Sequence, residues 1–367
     1  MTILQLGKFY PVRGGVEKVM RDLTEGLSSR GIRCDMLCAT SDHPRIVQLN
    51  DSGRIICVKA WAKWAGTMIA PAMIRYLRKH RDEYDIVHIH HPDPMAALAL
   101  RLSGFKGQVI VHWHSDIVSQ KAFLRLYLPL QSWMLLRADT IVGTTPVYVR
   151  NSPYLSRFQS KCSSIPIGIR PIATDPGKAS AIREKFPCPH LLLSVGRLVP
   201  YKGYSYLVDA MLYLPESYHL VIVGDGPLRT SLESHIRSAG LRDKISLEGY
   251  VEDGVLPDYF GACDVFVLPS IMKTEAFGIV QIEAMSCGKP VVATRIPESG
   301  VPWVNQDGIS GVNVKPCDPQ ALAEGIRTVA ENAAEYGIRA QQHFSHKYTL
   351  DSMIDKTLQL YENKKNL

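Results

Sequence analysis

No stretch of this chain approaches the roughly 20 consecutive apolar residues that a membrane-spanning helix needs. Its first residues, MTILQLGKFYPVRGG, lack the architecture of a secretion signal. No C-x-x-C pair occurs among the eight cysteines (34, 38, 57, 162, 188, 263, 287 and 317), which are scattered through mostly apolar contexts. That spacing suggests no zinc site and reads as reduced core thiols of a cytosolic protein. No G-x-G-x-x-G follows the first strand of either half, which disfavours a dehydrogenase. No D-x-D stands in a loop suited to a metal-held diphosphate.

What is present is an ordinary globular composition in a long chain, 46% hydrophobic and 21% charged. Single cores stop growing near roughly 250–300 residues, so 367 residues are long enough for two domains. Charge is divided unevenly. Residues 1–170 carry 23 Lys+Arg against 12 Asp+Glu, and residues 171–367 carry 19 against 23, which together give the net +7. A basic first half suggests an anionic surface or ligand on that side.

The first half opens with an apolar run (2–6), then Pro11, Gly14 and Gly15, then a helical stripe of Val16, Val19, Met20, Leu23 and Leu27. Strand, glycine loop and helix form the phosphate-binding layout of α/β proteins. Further strands are expected at 34–40, 54–60, 85–92, 108–116, 140–145 and 163–169. His112 and His114 share a face of their strand, and the flanking histidines 88, 90 and 91 are not expected to converge with them, so no metal site is expected. Two stretches mix apolar and basic residues. Residues 59–81 hold Trp61, Trp64, Met68 and Ile69 among six lysines and arginines, and residues 117–137 hold Phe123, Leu126, Tyr127 and Trp133. Each suits either a membrane interface on anionic lipid or a helix packed on the sheet.

Residues 171–188, rich in proline and polar groups, read as an interdomain linker. A fresh α/β unit follows, with strands near 190–196, 218–227, 244–251, 263–270, 289–295 and 311–314, so the fold class is α/β with two Rossmann-like domains. Arg197 and Lys202, both just past a strand, suit a diphosphate clamp. In residues 273–285, Glu275 precedes an expected helix and Glu283 lies about two turns inside it. A helix start favours an anionic or hydroxyl-rich ligand.

Six segments then carry a resemblance along nearly the whole chain: G-G-V-E (14–17), H-W-H-S-D (112–116), S-V-G-R-L-V-P-Y-K-G (194–203), V-G-D-G-P (223–227), G-Y-V (249–251) and E-A-F-G-I-V-Q-I-E-A-M (275–285). Together they resemble glycosyltransferase family 4, the retaining GT-B enzymes. The resemblance implies two domains facing across a cleft: an acceptor domain at 1–170, joined by a returning C-terminal helix at about 350–367, and a donor domain at 171–349. It implies that Arg197 and Lys202 hold the donor diphosphate, and that Glu275 with the backbone of Phe277, Gly278 and Ile279 grips the sugar. Glu283 would bind the ribose, and Tyr250–Val251 would read the base. Gly224 would join the donor site, His114 would contact the sugar, and the Gly14–Gly15 loop would flank the phosphates. Arg13, Asp116 and Lys121 are weaker acceptor candidates. No metal or other cofactor is implied.

The run 114–121 resembles mannosyl- and rhamnosyltransferases of O-antigen and exopolysaccharide assembly. That points to GDP-mannose before UDP-sugars, while the basic, tryptophan-bearing first half fits a lipid-linked saccharide acceptor at the cytoplasmic face of the inner membrane; nucleic acid is not an expected partner. Two alternatives stay open: a nonhydrolysing nucleotide-sugar epimerase of the same architecture, and a non-catalytic nucleotide-sugar-binding protein.

Overall fold

The computed structural model describes all residues except 13, 65, 118–120 and 363–367, and at 121–123 the main chain only. The chain divides into two compact units, one of Met1–Gly168 plus the helix that begins at Leu350, the other of Ile169–Thr349. The expected linker at 171–188 is largely not a linker. Asp175 accepts hydrogen bonds from the Gly177 and Lys178 N–H groups and caps a helix at Pro176–Glu184, which packs within the second unit.

The first unit is built on strands β1 (Thr2–Tyr10), β2 (Arg33–Thr40), β3 (Arg45–Asn50), β4 (Gly53–Lys59), β5 (Ala62–Trp64), β6 (Thr67–Ile69), β7 (Ile86–His91), β8 (Gln108–Trp113), β9 (Thr140–Gly143) and β10 (Cys162–Ser164). Eight of them form one sheet in the order β10-β9-β8-β7-β1-β2-β4-β3, parallel except for the edge strand β3, while β5 and β6 form a separate hairpin. Its helices are α1 (Gly15–Ser28), α2 (Pro71–His80), α3 (Pro94–Ser103), α4 (Lys121–Arg137) and α5 (Pro146–Asn151). The central strands are buried along their length, as in Ile3, Leu4 and Leu6 or Val109, Ile110 and Val111, because helices cover both faces of a parallel sheet.

Residues 59–81 are therefore not one amphipathic element. Gly66, at φ 78°, allows the β5–β6 turn, and Pro71 at the first helical position starts α2. The strand expected at 163–169 also shortens to β10, with Ile167 buried in loop and Ile169 buried at an isolated bridge to Thr349.

The second unit comprises α6 (Pro176–Glu184), β11 (His190–Val195), α7 (Tyr204–Ala210), β12 (Tyr218–Val223), α8 (Arg229–Ser238), β13 (Ile245–Gly249), α9 (Leu256–Ala262), β14 (Val265–Leu268), α10 (Ile279–Ser286), β15 (Val291–Thr294), α11 (Val301–Val304), β16 (Gly311–Val314), α12 (Pro319–Ala330) and α13 (Ala333–Lys347). Its sheet runs β13-β12-β11-β14-β15-β16, all parallel. Counted from the unit's own first strand this is the order 3-2-1-4-5-6, in which ligands lie beyond the carboxyl ends at the switch between strands 1 and 4. The chain then returns to the first unit as α14 (Leu350–Glu362), where Met353, Ile354 and Tyr361 are buried and Ile354 packs on Gly26 of α1.

Candidate active site

The switch point of the second unit lies between β11 and β14, and one ion pair bridges it. Lys202, in the 3₁₀ turn Pro200–Lys202 after β11, places Nζ 2.6 Å from Oε2 of Glu275, in the loop after β14. Both side chains are 11% exposed. Ser270 Oγ donates to the same Oε2 at 3.0 Å, and the Glu275 N–H donates to the Met272 carbonyl at 2.9 Å. Burial works against the Lys202 ammonium, but the Glu275 carboxylate, with the hydroxyls of Tyr204 and Tyr201, outweighs it and raises the pKa above the usual lysine value. Lys202 is thus a buried, paired cation at the carboxyl end of the sheet. Arg197, two residues beyond β11, is exposed.

The loops beside this pair are held close by glycine. Gly224 follows β12 at φ 141°, and its N–H donates to the Gly249 carbonyl at 2.7 Å. A Cβ there would stand 2.1 Å from the Gly196 carbonyl oxygen. Gly224→Ala is expected to destabilise the second unit by about 2–3 kcal/mol, because both the backbone conformation and the contact forbid a side chain. Urea unfolding of the variant checks this, and a midpoint equal to wild type would refute it.

Tyr250, just past β13, is 74% exposed and offers an aromatic face. Gly278 takes φ 72° and ψ 65° to cap α10, and Gln281 Nε2 fastens the loop by donating to the Phe277 carbonyl at 2.7 Å. Phe277 itself is buried against Tyr348, so it can offer a ligand only backbone. Glu283 lies about one turn inside α10 rather than two, because the helix starts at Ile279.

The first unit repeats this logic at its own switch point, between β1 and β7. The Lys8 N–H donates to Asp93 Oδ2 at 2.6 Å, and Lys8 Nζ donates to the Pro92 carbonyl at 2.5 Å. Burial lowers the Lys8 pKa against the pull of Asp93 and Glu17, and burial raises that of Asp93. Gly14 caps α1 with extended backbone, and the Glu17 carboxylate folds back over it, occupying the space a Cβ would need.

Behind this edge lies a tier of buried imidazoles. Here the structure corrects the sequence reading, for His90 of β7 does converge with His112 and His114, and one nitrogen from each lies within 4.8 Å of the others. The register His90↔His112 between parallel neighbours brings them together. Their ring planes lie within 23° of one another, and His112 and His114 stack 4.1 Å apart. Parallel rings send their lone pairs along parallel planes, whereas a metal needs them to meet at a point. The charge of Lys8 also lowers the pKa of His90 and His114, as a secondary effect beside burial.

The orientation of the Gln5 amide assigns the tautomer of His114. Gln5 Nε2 donates to Tyr361 Oη at 3.3 Å, and Gln5 Oε1 accepts from His90 Nε2 at 2.8 Å. His90 Nδ1 is therefore the acceptor of its 2.9 Å bond with His114, whose proton sits on Nε2. Burial keeps His114 neutral, with its pKa well below the usual value.

The structure thus joins Lys202 with Glu275, and sets Gly224 and Tyr250 at neighbouring strand ends. It gives Asp116 a structural task, since its Oδ1 accepts from Trp113 Nε1 at 2.9 Å and from Ser152 Oγ at 2.7 Å. Arg13 lies outside the described residues, as does the side chain of Lys121. Ser270, Lys8, Asp93 and the partners Gln5 and Tyr361 escaped sequence reading. Ser270 bonds a group five residues on, the others depend on contacts between distant segments, and only the alternating histidines at 88/90 and 112/114 give a signal of the tier.

Residues 13–170 match the sequence family Glycosyltransferase Family 4, and residues 178–346 match Glycosyl transferases group 1. O-antigen chain mannosyltransferase C of Escherichia coli is 31% identical over 370 residues, covering 98% of each chain. D-rhamnosyltransferase WbpZ of Pseudomonas aeruginosa is 31% identical over 359 residues, covering 95% of this chain and 92% of that one. Among solved structures, Anabaena Alr3699/HepE in complex with UDP aligns over 100% of both chains with TM-score 0.79 at 21% identity. Sucrose-phosphate synthase from Thermosynechococcus elongatus aligns over 100% of both chains with TM-score 0.80 at 23% identity. Two Rossmann-like sheets, a lysine–glutamate pair at the second one's switch point and relatives matched almost end to end lead to one conclusion: the chain belongs to the GT-B glycosyltransferases, a family 4 half followed by a group 1 half.

Proposed function

We propose that this protein is a retaining, metal-independent hexosyltransferase of bacterial O-antigen or exopolysaccharide assembly. It takes mannose from GDP-mannose before sugars from UDP donors, and delivers it to a lipid-linked saccharide. The observation that carries the reading is the buried Lys202–Glu275 pair. Breaking a glycosyl–phosphate bond builds negative charge on the departing diphosphate and positive charge on the sugar. A cation already desolvated and oriented meets the departing charge without reorganisation. In this reading Lys202, with Arg197, takes the part a metal plays elsewhere. Glu275 and the backbone at 277–279 hold sugar hydroxyls, Glu283 holds the ribose, and Tyr250–Val251 read the base. Gly224 lets its strand-end loop lie close. Neutral His114 meets the sugar, and the Gly14–Gly15 loop flanks phosphates and acceptor.

Retention follows if the acceptor attacks on the face the diphosphate leaves, with the leaving oxygen taking the proton. Glu275 is assigned no covalent role, because its Oε2 is engaged by Lys202 and Ser270. The names of the two relatives, a mannosyltransferase and a rhamnosyltransferase, support the sugar class. For the membrane face, the first unit offers Trp61, Trp64 and Leu126 at 71%, 58% and 77% exposure among basic residues. Among the described residues no helix is long and apolar enough to cross a bilayer.

The test incubates the protein with GDP-mannose and a panel of UDP-sugars in EDTA, with and without membrane-extracted lipid acceptor, and follows nucleoside diphosphate release. Release that needs the acceptor is the expected result. Isomerised donor without acceptor would replace this reading with an epimerase, and binding without turnover with a sensor.

A further inference from the structure

The β5–β6 hairpin of the first unit separates two cavities. In a hairpin, alternate residues face opposite sides. The pair Lys63↔Met68 lines a cavity of about 660 Å³ together with Gly14, Glu17, Asp42, Lys59 and Trp61. Trp64, its partner Thr67, and Ile69 line the other, of about 260 Å³, with Leu98 of α3 and Leu126 and Tyr127 of α4. The smaller cavity is lined almost wholly by apolar side chains. The larger one reaches the Gly14 loop and carries Lys59 and Lys63 against Glu17 and Asp42, the last paired with Arg45 at 3.6 Å.

We infer that the two cavities split one amphiphilic molecule: the 260 Å³ slot takes the first part of the isoprenoid chain of the lipid-linked acceptor, and its phosphates lie across the hairpin at Lys63. The inference rests on the acceptor class proposed above and adds where that acceptor is held. The size suits it, since pockets for whole small molecules run to about 300–1,000 Å³ and this slot holds only a segment of chain. So does the sequence of chemistry along the hairpin, apolar on the Trp64 side and charged on the Lys63 side, where Lys59 and Lys63 stand among Glu17 and Asp42, with the glycine loop beyond. A chain that must leave a bilayer to present its head group gains a dry slot for its first carbons, and the exposed Trp64 and Leu126 stand at its mouth. The slot is thereby a chain-length sensor: the protein should distinguish diphosphates by the hydrocarbon they carry.

The experiment titrates the full chain with farnesyl diphosphate, dimethylallyl diphosphate and inorganic pyrophosphate, reading tryptophan fluorescence. Farnesyl diphosphate is expected to bind at least tenfold more tightly than the other two. Leu98→Trp, which fills the slot, should abolish that gap, and Leu126→Ser at its mouth should reduce it, while GDP affinity and the thermal midpoint stay at wild type. Lys63→Ala should weaken farnesyl and dimethylallyl diphosphate alike. Equal affinity for the two isoprenyl diphosphates, or a gap that survives Leu98→Trp in a folded variant, would overturn the assignment. So would Leu98→Trp reducing binding to phosphatidylglycerol vesicles as much as binding to farnesyl diphosphate, since the slot would then be a bilayer contact. None of these readouts requires sugar transfer, so a failed transferase assay with intact chain-length discrimination would count against the proposed reaction and not the slot.

Discussion

Lys202→Ala should lower kcat by about 10²–10³ while weakening GDP or UDP binding by no more than about tenfold, because the cation is proposed to act on charge that develops as the diphosphate departs. The substitution also strands the Glu275 carboxylate. That group is 11% exposed, so solvent screens it little, and losing its partner should cost about 3–5 kcal/mol of stability in the second unit. The two effects can be separated. Lys202→Ala combined with Glu275→Gln removes the stranded charge, so stability should recover largely while turnover stays low. Equal losses in turnover and nucleotide binding for the single variant would argue against a leaving-group role. Full recovery of turnover in the double variant would show that only folding had been damaged. Arg197→Ala, at an exposed position, should lower turnover without the stability loss.

The second large effect is on acid stability. His88, His90, His91, His112 and His114 all have pKa values lowered first by burial, His91 and His112 to about 3. In the unfolded chain they would titrate near the usual 6.5. The sign follows: unfolding takes up protons, so the first unit has its full stability above pH 6.5 and loses it as pH falls. Each neutral histidine costs about 1.4 kcal/mol at pH 5.5, so the five together cost roughly 7. Whole-domain stability is only about 5–15 kcal/mol. The first unit should therefore unfold between about pH 6 and 5. In the second unit only His219 and His343 are lowered, so it should outlast the first. Hydrogen exchange read separately in the two units, from pH 7.5 to 5, checks this. Unchanged protection of β7 and β8 at pH 5 would mean that the tier accepts protons in place.

The same tier shows where sequence reading reached its limit. Alternation along the strand puts His112 and His114 on one face, where their rings stack. Alternation does not carry the register between strands, which is what sets His90 directly across from His112. For a related reason the 59–81 stretch does not read as two elements in sequence. Its basic and aromatic content was plain, but a hairpin with a glycine turn followed by a proline-started helix has no single period to detect.

By itself the sequence determined the fold class, nearly all of the parallel strands and the loops that carry Arg197, Lys202, Gly224, Tyr250 and Glu275. Buried strands, glycine turns and helix starts are local patterns, written in neighbouring residues. Only the tertiary structure decided that Lys202 is held by Glu275, that Asp116 braces Trp113 rather than standing free, and that Tyr361 reaches back to Gln5 and His88. Those pairings join residues 73 to 356 positions apart or hinge on one side chain's rotamer, and no local pattern encodes which distant group will satisfy a buried charge.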